Sequence, residues 1–62
     1  MKVRDVIRML IDGGWVLISQ KGSHRQFKHR TKPGKVTVPG KGSDELPTGT
    51  LKSILRQAGL EE

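Results

Sequence analysis

The sequence predicts an α+β domain of order αβββα, a three-stranded antiparallel sheet with both helices on one face. Three observations predict it. Apolar residues recur at helical spacing at both ends of the chain: Val3, Val6, Ile7, Leu10 and Ile11 at one, and Leu51, Ile54, Leu55 and Ala58 at the other. Between them lie three stretches that are β-branched or carry an apolar residue at strand spacing. Glycine-containing turns divide those stretches from one another. The chain has 62 residues, which fits one domain, 1–62. Its core must be small, since a chain of this size buries only about 60% of the surface its unfolded form exposes.

The first helix is expected over residues 2–12, with Arg4, Asp5, Arg8 and Asp12 facing water. Gly13-Gly14 ends it, because one of these glycines can adopt the left-handed conformation that closes a helix. "WVLISQ", 15–20, then reads as strand one, Lys21-Gly22 as a tight turn, and "SHRQFKHR" as strand two. A second turn, "TKPG" at 31–34, leads into "KVTVPG", where Val36 and Val38 alternate with Lys35 and Thr37 until Pro39 stops the strand. Residues 40–47 are polar and rich in turn formers, and are expected to be a loop and the most mobile segment. The second helix begins near Thr48 or Thr50, either of which is expected to cap it. Gly59 ends that helix, and Leu60 should pack back on its last turn.

Strand parity decides which side chains meet the helices. Phe27 is the only strongly apolar residue of strand two and should point to the core. Arg25 and His29 then share its side or lie at its edge, while His24, Gln26 and Lys28 project from the open face. A slip of one residue would reverse this assignment.

Twelve Lys and Arg against six Asp and Glu give a net charge of +6, and their distribution is uneven. From Gly13 to Ser43 there is no acidic residue, whereas that stretch holds Lys21, Arg25, Lys28, Arg30, Lys32, Lys35 and Lys41. A polyanion is the natural partner for such a segment. Without cysteine there are no disulfides and no thiolate metal ligands, and a cytoplasmic location is expected. The longest apolar run, Trp15 to Ile18, is too short to span a bilayer, and no secretory signal precedes it, so no membrane partner is expected.

Several chemistries are disfavoured by the residues themselves. His24 and His29 are five positions apart and face opposite sides of a strand, and the one central carboxylate pair, Asp44-Glu45, falls in a loop. No metal site and no cofactor are expected. Ser23 and His24 are neighbours whose side chains point apart, which excludes a nucleophile-base pair. What remains is an exposed imidazole in a cationic surface, and one reaction needs little more. RNA carries its own nucleophile, the 2′-hydroxyl, so cleavage requires a proton acceptor, an acid for the departing 5′ oxygen, and positive charge on the phosphorane. Imidazole serves as either acid or base, and Lys21, Arg25 or Lys28 could supply the charge. A lone exposed histidine is most often only a surface residue, so sequence pattern leaves this as one option.

"GSHRQF" at 22–27, "VTVPG" at 36–40 and "GTLKSILRQAGL" at 49–60, preceded by a short helix and "GGW", resemble the HicA family of toxins from toxin-antitoxin pairs. The resemblance covers nearly the whole chain, in order. It implies a fold like the double-stranded RNA-binding domain, metal-independent cleavage of mRNA, and inhibition by an acidic HicB-like antitoxin. It also implies His24 as the catalytic histidine, with Gly22 and Ser23 in the same motif. Lys21, Gly22, Ser23, Arg25, Lys28 and Lys41 are the candidate RNA-binding residues. One departure stands out: many members carry a second histidine shortly after the proline of strand three, where this chain has Gly40-Lys41-Gly42. Its contribution therefore falls to Lys41 or is absent. The alternative reading is a non-catalytic module for double-stranded RNA, or a small ribonucleoprotein component. Against it, the start of the last helix offers only Lys52 where such modules clamp phosphates with a lysine cluster.

Overall fold

Helix α1, Val3–Asp12, is built on apolar residues three and four apart, and the computed structural model, which describes residues 1–60, buries Val3, Val6 and Leu10. The apolar stripe is narrower than expected: Ile7 is half-buried, but Ile11 is 57% exposed. At 3.6 residues per turn, Ile11 lies about 80° around the axis from Val3 and so leaves the sheet. Gly14, at φ +93°, takes the left-handed conformation that turns the chain out of the helix.

Loop 40–47, expected to be the most mobile segment, is instead tied to α1. The carbonyls of Asp44 and Gly42 accept the N–H groups of Val3 (2.9 Å) and Arg4 (3.1 Å), two donors that the helix itself leaves without partners. Leu46, in the same loop, is buried in the core. Asp44 also folds the loop on itself, its Oδ2 accepting the Lys41 N–H at 3.0 Å.

Strands β1 (Trp15–Lys21), β2 (His24–His29) and β3 (Lys35–Val38) form an antiparallel sheet in that order. Phe27 points inward, as parity predicts, and meets Trp15, Val36 and Val38. Helix α2, Thr48–Gln57, adds Ile54, and Ala58 follows it into the same cluster as the buried residues of α1. Both helices therefore cover one face of the sheet.

Neither threonine caps α2. The helix starts at Thr48 itself, with Pro47 in the cap position and its carbonyl accepting the Leu51 N–H at 2.9 Å. Proline suits this boundary because it has no N–H to leave unpaired. The other end closes as the sequence predicts: Gly59 is at φ +70°, its N–H bonds the Arg56 carbonyl (3.1 Å), and the Leu60 N–H reaches back to Leu55 (2.9 Å). Lys32 Nζ donates to the Ala58 carbonyl at 3.1 Å, so this cation is used to finish α2.

One irregularity decides what the open face carries. Leu17 pairs with Phe27, but Ser19 pairs with Gln26, so Ile18 is an extra residue in β1. A bulge shifts the alternation of side chains by one. Without it Ser19 and Lys21 would lie on the side of Trp15 and Leu17; with it they join Gln26 and His24. No helix among the described residues is long and apolar enough to cross a membrane.

Candidate active site

The β1–β2 hairpin turns at Gly22, whose φ of +57° favours glycine, and a Gln20 Nε2 hydrogen bond to the Gly22 carbonyl (3.0 Å) braces it. His24 is the first residue of β2 and is exposed. Three positions from the inward-facing Phe27, it projects from the open face, and its direct cross-strand neighbour is Lys21. Among the described residues nothing hydrogen-bonds its imidazole, so both ring nitrogens are available to a ligand.

Two hollows meet at His24. One, of about 330 Å³, lies over the open face between Ser19, Lys21, Gln26 and Thr37. The other, of about 540 Å³, runs between the outer side of β3 and helix α2, with Lys35 and Thr37 on the sheet wall and Thr50, Ser53 and Gln57 on the helix wall.

The expected binding residues divide into two groups. Lys21 and Lys28 share the open face with His24. Gly22, Ser23, Arg25 and Lys41 instead line a hollow of about 380 Å³ on the helix-covered side of the hairpin. Arg25 faces inward with Phe27, and its Nη1 donates to the Gly40 carbonyl at 3.3 Å, which ties β2 to the end of β3. The two faces of one strand account for this division, since residues 24 and 25 must point opposite ways.

Three side chains that matter here were not singled out as binding residues in the sequence. Lys35 sits directly across from Lys28 on the open face. Two ammonium groups facing each other on a strand pair repel, and a bound polyanion relieves that repulsion. Gln26 and Thr37 form the next cross-strand pair, beside His24. The alternation of Lys35 and Thr37 with the buried Val36 and Val38 carried the signal for both residues of β3.

His29 has a different environment. Its Nδ1 accepts the backbone N–H groups of Thr31 (3.0 Å) and Lys32 (3.2 Å), and its Nε2 lies 3.0 Å from the Gly13 carbonyl. The ring stands edge-on to Trp15 with centroids 5.2 Å apart. This histidine is a structural clasp, and its separation from His24 follows from strand parity.

The open face thus combines an imidazole, ammonium groups and hydroxyls with no carboxylate among residues 13 to 43. The family model described as "HicA toxin of bacterial toxin-antitoxin" matches residues 3–60 of the chain. No curated protein matches it.

Proposed function

Since this chain belongs to the HicA toxin family, and is thereby a toxin with an antitoxin partner, we propose that it is an endoribonuclease that cleaves mRNA with its own side chains. The observation that carries this reading is His24: exposed, and among the described residues without a hydrogen-bond partner, across from Lys21 on a sheet face free of carboxylates.

In the proposed reaction the RNA lies over the open face with one phosphate at His24. The 2′-hydroxyl of the preceding ribose attacks phosphorus, and the bond from phosphorus to the 5′ oxygen breaks. His24 either takes the proton of the attacking hydroxyl or gives one to the departing oxygen, and solvent water makes the other transfer. Lys21 offsets the charge that develops on the phosphorane oxygens. Lys28 and Lys35 hold a neighbouring phosphate, while Gly22, Ser23 and Lys41 meet the strand where it passes the hairpin tip. Arg25 contributes by holding Gly40 and, with it, the shape of that hollow.

The antitoxin of this reading is acidic and HicB-like, and covers the open face. Charge complementarity supports that surface, and so does an apolar border. Val16, Leu17 and Ile18 are 61%, 45% and 48% exposed on β1, whose outer edge pairs with no other strand among the described residues. An acidic strand added there would satisfy the free edge and bring its carboxylates over Lys21 and Lys28. A toxin acting on mRNA works in the cytoplasm.

The test is the chemistry of the cut. Cleavage should survive excess EDTA, leave a 5′-hydroxyl with a 2′,3′-cyclic or 3′ phosphate, and stop when the ribose at the cut lacks its 2′-hydroxyl. Products with a 5′-phosphate would contradict the reading.

A further inference from the structure

The groove between β3 and α2 has no part in the bond-breaking step, yet it opens directly onto His24. Any RNA strand with a phosphate at His24 must continue to either side of it. Over the sheet it meets Lys21 and Gln26; on the other side it meets this groove.

Its volume, about 540 Å³, falls in the roughly 300–1,000 Å³ range of sites that hold a small ligand. Half-buried Pro39 adds apolar surface to it, against which the flat face of a base can lie, and the buried Ile54 forms its floor. Thr50, Ser53 and Gln57, at i, i+3 and i+7, turn three polar side chains of α2 toward the same space. Among the described residues none of the three side chains hydrogen-bonds within the protein.

The aromatic residues narrow the choice of mechanism for base selection. Single-stranded RNA is commonly read by stacking on exposed aromatic rings together with hydrogen bonds to base edges. Trp15 and Phe27 are the only aromatics of the chain, and they are 2% and 1% exposed. Stacking on Trp or Phe is therefore closed to this surface, and its exposed ring, His24, is engaged at the phosphate in this reading. Selection has to come from hydrogen bonds in a space that admits a base.

We propose that the β3–α2 groove binds the nucleotide next to the cut phosphate, and that Gln57 determines which base is accepted there. Resting on the reading of the chain as an RNA-cleaving toxin, this inference assigns the substrate strand a second contact surface beyond the sheet. The Gln57 amide presents a donor and an acceptor side by side, the arrangement that pairs with two adjacent atoms of a base edge. Ser53 and Thr50, one and two turns nearer the start of α2, offer hydroxyls to the sugar. Lys35 faces the nucleotide's phosphate from the sheet wall.

The experiment is end mapping of a randomised RNA pool cut by the wild-type protein and by Gln57→Ala and Gln57→Glu variants. Gln57 is exposed, and both variants should fold as the wild type does. The wild type should show unequal base frequencies at one position beside the cut. Gln57→Ala should flatten them, and Gln57→Glu, which keeps the length but has no amide donor, should favour a different base at that position. A merely structural role for Gln57 would lower the rate without moving the frequencies. Equal frequencies in the wild type, or unchanged ones in both variants, would overturn the groove assignment and leave the nuclease reading standing. If the wild type cuts no RNA, the nuclease reading fails and this inference falls with it.

Discussion

His29 Nε2 lies 3.0 Å from the carbonyl oxygen of Gly13, joining the end of β2 to the end of α1. Because Nδ1 already accepts two backbone N–H groups, Nε2 carries the proton and donates. Removing the ring leaves those N–H groups and the Gly13 carbonyl to find water. His29→Ala should therefore lower folding stability by about 1–3 kcal/mol, read from urea unfolding, while cleavage per folded molecule changes little. Unaltered stability would contradict this role.

Gly14 makes that contact possible. At φ +93°, a β-carbon there would also lie 2.9 Å from His29 Nε2. Gly14→Ala combines an unfavourable backbone conformation with a displaced clasp. We expect a loss of at least about 1–3 kcal/mol, and a melting temperature clearly below that of His24→Ala. Equal melting temperatures for the two variants would show that the turn tolerates a side chain.

Lys28 and Lys35 face each other across β2 and β3. Neutralising either should act in opposite directions on folding and on RNA. Lys28→Gln or Lys35→Gln should raise folding stability by a few tenths of a kcal/mol, roughly the 0.2–1 kcal/mol scale of cross-strand pairs. The same change should reduce the slope of log affinity for single-stranded RNA against log salt by about 0.7. An unchanged slope would remove this pair from the binding surface. Lys32→Ala, by contrast, should cost stability through its bond to Ala58 and leave the salt slope unaltered.

Much of this was legible in the sequence, for identifiable reasons. The glycine positions and the periodicity located all five elements, and the lone apolar Phe27 assigned His24 to the open face. The bulge at Ile18 was not legible, because "WVLI" is apolar throughout and has no alternation to break. Its effect was to bring Lys21 beside His24. The burial of Leu46 was equally silent, since a single leucine in a polar loop gives no period. Listing Arg25 and Lys41 with the other cations followed from charge alone. Strand parity already placed Arg25 on the side of Phe27; what composition holds no trace of is its partner there, the Gly40 carbonyl.

The antitoxin should cover the edge of β1 together with the open face. Ile18→Ser removes apolar surface from the exposed border without adding charge or touching the core. It should weaken the complex with the acidic antitoxin by at least tenfold in calorimetry while RNA cleavage continues. Full-strength binding by this variant, or a cross-linking map confined to the helices, would contradict the proposed interface.

His24 as acid or base is the centre of this account, and single-turnover cleavage by His24→Ala at saturating protein tests it most directly. An exposed residue at the start of a strand contributes little packing, so folding stability should stay within about 0.5 kcal/mol of wild type. RNA affinity should be nearly retained, because Lys21, Lys28 and Lys35 remain. The cleavage rate should fall by about 10²–10⁴-fold, the range set by removing a general acid or base. A folded His24→Ala protein that binds RNA and cuts it at the wild-type rate would contradict the assignment.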